Sequence, residues 1–158
     1  VGSSIGPFEG WLALRGLKTL SLRMRQQCEN ALRLAQSLRD HPKIRQVNYP
    51  FLPDHPQYEL LHSMTEGRGG GGVFSFEILG AGREEIFAFM DALNLIQPAT
   101  SLGDIYSLAL YPAISSHRTL TSQQRASLGI GDGLVRISAG IEDVGDIQDD
   151  IENALRRI

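Results

Sequence analysis

Apolar residues recur at steps of three and four from position 17 to position 38, which is the spacing of one face of an α-helix. The members of this stripe are Leu17, Leu20, Met24, Cys28, Ala31, Ala35 and Leu38. Pro7 suits the first turn of a helix, because an N–H at that position has no intrahelical partner. His41 precedes Pro42, and a residue before proline avoids helical geometry. The sequence therefore predicts one long amphipathic helix that starts near Pro7 and ends before Pro42.

The rest of the chain mixes short strand patterns with helical ones. Strands are predicted by β-branched and aromatic residues at 44–49, 73–79, 96–99, 105–111 and 134–138. Helices are predicted at 57–64 and at 83–93. A short helix is predicted to begin at the capping-box pair Thr121 and Gln124 and to end at Gly129, and a last helix to begin after the cap Asp143. The last helix has an apolar stripe of Val144, Ile147, Ile151, Ala154 and Leu155. This order favours an α+β fold, with a small, mainly antiparallel sheet covered by helices on one face.

A glycine run lies between Gly67 and Gly72. A phosphate cradle needs a strand before it and a helix after it, so that the N–H groups of the helix point at the anion. Here a strand pattern follows the run, and no Gly-Lys-Ser/Thr sequence ends it. We interpret the run as a flexible connector without regular structure.

Composition narrows the class of protein. The chain has 158 residues, of which 42% are hydrophobic and 21% are charged, which fits one globular domain spanning 1–158. The net charge of −3 provides no general attraction to nucleic acid or to an anionic membrane. No apolar run reaches the roughly 18 residues of a membrane span. The start VGSSIGPFEG has neither a Met nor a signal pattern, and we expect it to be a cut edge.

The cysteine and histidine content argues against several chemistries. Cys28 is the only cysteine, so an internal disulfide is excluded and a reducing cytoplasm is the expected compartment. The four histidines have no ligand spacing such as H-E-x-x-H, so the sequence predicts no metal site. His117 follows Ser115 and Ser116, but no G-x-S-x-G elbow is present, and adjacent residues rarely point at each other. We expect a turn or cap role for His117, with an independent hydrolase as an alternative hypothesis.

Arg136 lies inside the apolar strand pattern LVRISAG. A guanidinium in such a segment needs a partner, because unpaired burial of a charge is costly. One interpretation is structural: an ion pair with an acid such as Asp104 or Glu142, or a place on the polar side of a half-exposed strand. The other is functional: the forked guanidinium binds a carboxylate through two parallel hydrogen bonds, which suits an amino-acid substrate. The residues alone leave both open.

The tetrapeptide SLGD, at residues 101–104, separates two apolar stretches. Gly103 can adopt a positive φ there, and such a turn can present the Ser101 hydroxyl to a ligand. Taken alone, the pattern predicts a turn and no particular chemistry.

Five motifs follow one another in an order typical of a known family. They are PFEGWLALRGLKTLSLRM, HPKIRQVNYP, GGVFSFEILG, TSLGDIYSLALYPAISSH and GIGDGLVRISAGIEDVGDIQDDIENAL. Together they resemble the Cys/Met-metabolism family of pyridoxal-phosphate enzymes, which includes cystathionine γ-synthase, cystathionine lyases, methionine γ-lyase and homoserine-ester sulfhydrylases. The resemblance implies that residues 1–158 form the C-terminal domain of a fold-type-I enzyme, without its large cofactor-binding domain.

The resemblance also implies roles for single residues. Arg136 occupies the position of the family arginine that binds the substrate α-carboxylate. Ser101 matches the serine of the family's S-L-G motif at the edge of cofactor and substrate. Tyr106 stands near the substrate side chain, where family members often carry an acidic or other polar residue. These three residues are the implied substrate-binding set, and the resemblance places no catalytic residue in this chain.

The cofactor implied by the resemblance is pyridoxal 5′-phosphate, which needs a Schiff-base lysine, an acid on its pyridine nitrogen and a phosphate cup. Lys18 matches a structural lysine of the family, and Lys43 lies in a helix-to-strand connection, so we expect the large domain to hold the cofactor and this chain alone to be inactive. The implied reaction is β/γ-elimination or γ-replacement on sulfur-containing or homoserine-derived amino acids, in a cytoplasmic homotetramer. The alternative is a non-catalytic α+β module for association or regulation.

Overall fold

The computed structural model describes residues 4–158; the first three residues, on which part of the expected cut edge falls, lie outside the described residues. The helices are α1 (Pro7–Leu17), α2 (Leu20–Arg39), α3 (Tyr58–Thr65), α4 (Arg83–Ala92), α5 (Ser122–Ser127) and α6 (Val144–Leu155). The strands are β1 (Ile44–Asn48), β2 (Val73–Ile78), β3 (Gln97–Pro98), β4 (Leu108–Leu110) and β5 (Leu134–Ser138). Among residues 4–158, none of the helices combines the length and apolar character needed to span a bilayer.

The five strands form one sheet in the order β1-β2-β5-β4-β3. Three of the four strand pairs are antiparallel, and only the short pair of β3 and β4 is parallel. The predicted mainly antiparallel sheet is therefore confirmed. Arg136 lies on the central strand, with Ser75 opposite it on β2 and Leu110 opposite it on β4.

Helix α2 contacts β1 and β2, Phe89 of α4 packs edge-on against Phe76 of β2, and α6 contacts both α2 and α4. The three helices thus cover one face of the sheet in a common core. Alternate residues of β2 and β5 point into the core beneath them, namely Phe74, Phe76, Ile78, Val135 and Ile137. All five residues of the stripe predicted for the last helix are buried there as well. Because side chains alternate along a strand, Arg136 is directed to the opposite face of the sheet.

The predicted long helix is interrupted. Helix α1 ends at Leu17 and α2 begins at Leu20, so the chain turns at Lys18 and Thr19. No residue of α1 is buried, and the buried face of α2 begins only at Gln27. The first part of the predicted stripe is therefore exposed, because α2 packs into the core only from Gln27 onward.

The glycine run has no helix or strand, as expected for a connector, but it packs closely against its neighbours. A Cβ built on Gly70 would lie 2.5 Å from the Cβ of Phe51 and 2.9 Å from the hydroxyl of Tyr49. The buried Tyr49 hydroxyl donates a hydrogen bond to the carbonyl of Gly71 at 2.9 Å. Glycine is thus required at Gly70 for close approach, which the prediction of a merely flexible connector missed.

We predict that Gly70→Ala lowers the free energy of unfolding by about 2 kcal/mol, because the added methyl group overpacks the site. Gly10→Ala is the matched control, since a Cβ at Gly10 meets no atom within 4 Å. That control should be neutral or gain roughly 0.5 kcal/mol. Urea unfolding of the three proteins measures the difference, and equal stabilities would contradict the close packing.

A buried carboxylate that the sequence analysis did not single out fixes the connection between α4 and β3. Asp150 of α6 accepts hydrogen bonds from the N–H groups of Asn94, Leu95 and Ile96 at 2.8, 3.0 and 2.9 Å. These three residues precede β3, so their N–H groups have no partner in a neighbouring strand of the described chain. Asp150 therefore sets where the chain enters β3.

We predict that Asp150→Ala lowers the free energy of unfolding by about 3 kcal/mol, since it leaves buried N–H groups without an acceptor. Asp149→Ala removes the same charge from an exposed position of the same helix and should change stability by less than about 0.5 kcal/mol. Chemical denaturation of both variants tests this. A similar loss in the two would show that charge, and not the three hydrogen bonds, matters.

Candidate functional site

The guanidinium of Arg136 lies on the face of the sheet opposite the helices and is half-buried. Burial lowers the pKa of Arg136 by withdrawing its charged form from water. An arginine nevertheless stays cationic at neutral pH. The central strand thus presents a partly desolvated positive charge.

Backbone carbonyls hold this guanidinium in place. Its Nη2 donates to the carbonyl oxygen of Ser101 at 2.8 Å and to that of Thr100 at 3.3 Å. Its Nε is buried, and no hydrogen-bond partner for it is found among residues 4–158. Carbonyl dipoles orient the group, but they do not neutralise its charge.

The acids considered as ion-pair partners of Arg136 are engaged elsewhere. Asp104 accepts a hydrogen bond from the N–H of Ile105 at 2.6 Å, and Glu142 accepts two from Ser107. Within the described ranges of the chain, no salt bridge joins Arg136 to a carboxylate. The ion-pair interpretation is therefore wrong for Asp104 and Glu142.

Residues 99–107, between β3 and β4, form what we call the site loop. Ser101 contacts Arg136 through its backbone carbonyl and not through its hydroxyl. Gly103 has the positive φ, 78°, that the sequence predicted for a turn, and its N–H donates to the Ser138 hydroxyl at 2.9 Å. Tyr106 is 52% exposed on the same loop, and in the described part of the chain no hydrogen bond links it to Arg136. The structure therefore places the Ser101 carbonyl in contact with Arg136, whereas Tyr106 lies exposed elsewhere on the site loop.

Two polar residues on the buried face of α2 bind the site loop and the segment after β5, and both were missed from the sequence. The side chain of Gln27 donates to the carbonyl of Asp104 at 2.6 Å. Asn30, which is fully buried, donates to the carbonyl of Gly140 at 3.0 Å and to that of Glu142 at 2.9 Å. Their burial could have been predicted from the sequence, because positions 27 and 30 share one helical face with Leu34 and Leu38.

The structure corrects one expectation about His117. The Ser116 hydroxyl lies 2.8 Å from Nδ1 of His117, so these adjacent side chains do point at each other. The N–H of His117 donates to the carbonyl of Pro112 at 3.0 Å, in agreement with a turn role. Among residues 4–158 no carboxylate is bonded to the ring, so the third member of a hydrolytic triad is lacking there.

The two lysines do not fit a Schiff-base role at this site. Lys43 donates from Nζ to the carbonyl of Leu155 at 2.8 Å and so holds the end of α6. Lys18 caps α1 at the exposed junction with α2. The surroundings of Arg136 fit a carboxylate, whereas this chain's lysines do not fit covalent attachment of pyridoxal phosphate.

The described chain also exposes a large apolar surface on its first two helices. We call it the α1 surface, and it consists of Phe8, Trp11, Leu12, Leu14, Leu17, Leu20, Leu22 and Met24. Trp11 is 55% exposed and Phe8 is 65% exposed. Apolar residues lie on all sides of α1, and a helix that is apolar all round is typically one that other protein segments cover.

Comparison with known proteins gives consistent matches. The family described as Cys/Met metabolism PLP-dependent enzyme matches residues 1–156. An O-succinylhomoserine sulfhydrylase of Mycobacterium tuberculosis is 40% identical over 98% of this chain and 38% of its own length. A cystathionine gamma-lyase of Bacillus subtilis is 43% identical over 99% of this chain and 40% of its own length. The chain thus spans about two fifths of these relatives.

A solved structure agrees with these matches. It is a cystathionine gamma synthase from Xanthomonas oryzae pv. oryzae in complex with aminoacrylate and cysteine, and it superposes with a TM-score of 0.85 at 40% sequence identity. The superposition covers 96% of this chain and 38% of that one. The likeness therefore extends over nearly the whole chain.

Proposed function

Because the chain belongs to the Cys/Met-metabolism family of PLP-dependent enzymes, we propose that it forms the C-terminal domain that binds the substrate's α-carboxylate. The observation that carries this proposal is the guanidinium of Arg136, which is half-buried and held by backbone carbonyls. A desolvated cation of this kind attracts a carboxylate more strongly than an exposed one does. Arginine can also bind a carboxylate through two parallel hydrogen bonds, which fixes its orientation.

The proposed reaction is β/γ-elimination or γ-replacement on sulfur-containing or homoserine-derived amino acids. The relatives include both a sulfhydrylase and a lyase, so the family supports either reaction type. Ser101 and Tyr106 would border the substrate from the site loop, with Tyr106 influencing the choice of side chain. A fixed carboxylate sets the orientation of the rest of the substrate, which is worth several kcal/mol in reactions that depend on alignment.

The cofactor would be held by residues outside this chain. Pyridoxal phosphate supplies an electron sink for the amino-acid chemistry of such enzymes. Neither lysine of this chain fits its attachment, because Lys43 holds α6 and Lys18 lies at a helix junction. We propose that a further domain carries the Schiff-base lysine and covers the α1 surface, in a cytoplasmic homotetramer, and that the 158 residues alone are inactive.

We predict that Arg136→Ala lowers kcat/KM for the amino-acid substrate by roughly 100-fold or more in the whole protein that carries this chain, because the carboxylate loses its charged partner. Arg136→Lys should recover only part of this loss, since an ammonium group cannot form the forked pair. Steady-state kinetics of the purified protein measure both effects.

The matched control is Arg45→Ala, which removes another strand arginine, whose 66% exposed side chain pairs with the half-buried Glu77 at 3.2 Å. An exposed ion pair contributes little, so kcat/KM should stay within about two-fold of its normal value. Near-normal kinetics in Arg136→Ala would overturn the carboxylate assignment.

A further inference from the structure

The carboxylate of Glu142 binds a single residue of the site loop. One of its oxygens accepts the backbone N–H of Ser107 at 2.6 Å, and the other accepts the Ser107 hydroxyl at 3.0 Å. Ser107 is fully buried and is the last residue before β4. Hydrogen bonds to an ionised carboxylate are stronger than neutral ones. Glu142 thus fixes the end of the site loop.

The segment that carries Glu142 touches the loop closely. The Ser107 hydroxyl also accepts the N–H of Gly140 at 2.9 Å, and Ile141 donates to the carbonyl of Ile105 at 2.9 Å. A Cβ on Gly140 would lie 2.4 Å from the carbonyl oxygen of Ile105, so only glycine permits this approach. Loop and segment therefore form one hydrogen-bonded unit.

Helix α2 anchors that unit to the core. The amide nitrogen of Asn30 donates to the backbone carbonyls of Gly140 and Glu142, and the Asn30 oxygen accepts from Gln26 at 2.9 Å. Asn30 is fully enclosed, so these bonds are shielded from water. A continuous path of hydrogen bonds thus leads from α2 through Glu142 to the site loop.

We propose that Glu142 is a positioning residue for the anion site: by holding Ser107, it sets the site loop whose carbonyls grip the Arg136 guanidinium. This inference rests on the proposed function for its effect on substrate binding. It assigns no chemistry to Glu142 itself, which acts only through the loop. Tyr106, next to Ser107, would move most when the carboxylate is lost.

The test compares Glu142→Ala, Glu142→Gln and the control Asp146→Ala in the whole protein that carries this chain. Asp146 is exposed in the first turn of α6, so its removal takes away a nearby negative charge without touching the loop. Hydrogen exchange followed by mass spectrometry reports on amides of residues 101–107 and, separately, on those of β5. Steady-state kinetics report KM and kcat for the amino-acid substrate.

In Glu142→Ala we expect loop amides to exchange about ten-fold faster or more, while β5 amides stay protected. KM should rise by about ten-fold with a smaller change in kcat, because the displaced loop weakens substrate binding. Glu142→Gln should lie between this variant and the normal protein, since its amide oxygen still accepts the Ser107 N–H. Asp146→Ala should match the normal protein in both measurements.

Unchanged loop exchange in Glu142→Ala would overturn the inference. So would equally faster exchange in β5, which indicates general destabilisation, or faster loop exchange with an unchanged KM. Absence of activity in the normal protein would instead count against the proposed function, while the exchange data still show whether Glu142 holds the loop.

Discussion

The proposed site depends on one positive charge, which is bound by carbonyl dipoles and has no acidic partner among residues 4–158. Arg136 lies on the central strand, where the backbone is fixed on both sides, and its guanidinium is bound by the carbonyls of Thr100 and Ser101. Partial burial of a cation costs free energy that these dipoles recover only in part. A ligand carboxylate would supply the missing counter-charge. This partly desolvated charge is the basis of the proposed carboxylate site.

Two carboxylates, one at each end, hold the segment that faces Arg136. Asp150 accepts the N–H groups of residues 94–96 before β3, and Glu142 accepts the N–H of Ser107 before β4. The chain between them includes residues that are individually exposed, yet its ends are fixed to α6 and to the segment after β5. Fixed ends let a surface loop keep the geometry that binding requires.

Sequence periodicity correctly predicted the helices and strands that pack against other parts of this chain. The strand at Leu134–Ser138 and the buried stripe of α6 agree with prediction, since both pack into the local core. The break at Lys18 and the exposure of α1 did not follow from the pattern, because an apolar stripe does not say what covers it. For Arg136, the residues alone left three interpretations open: an ion pair, a place on the polar side of a half-exposed strand, and a carboxylate clamp. The choice depends on contacts remote in sequence. The contacts of Arg136 in the fold argue against the ion pair, and the carboxylate ligand is suggested by the family resemblance.

The carboxylate site is tested most directly by measuring ligand affinity in the whole protein with its cofactor bound, using absorbance to monitor binding. Titrations should compare a sulfur amino acid with the amine that lacks only its carboxylate, in the normal protein and in Arg136→Lys. We predict that the normal protein binds the amino acid roughly 100-fold more tightly than the amine, and that Arg136→Lys loses most of this preference. An equal preference in the two proteins would contradict this assignment of the carboxylate site.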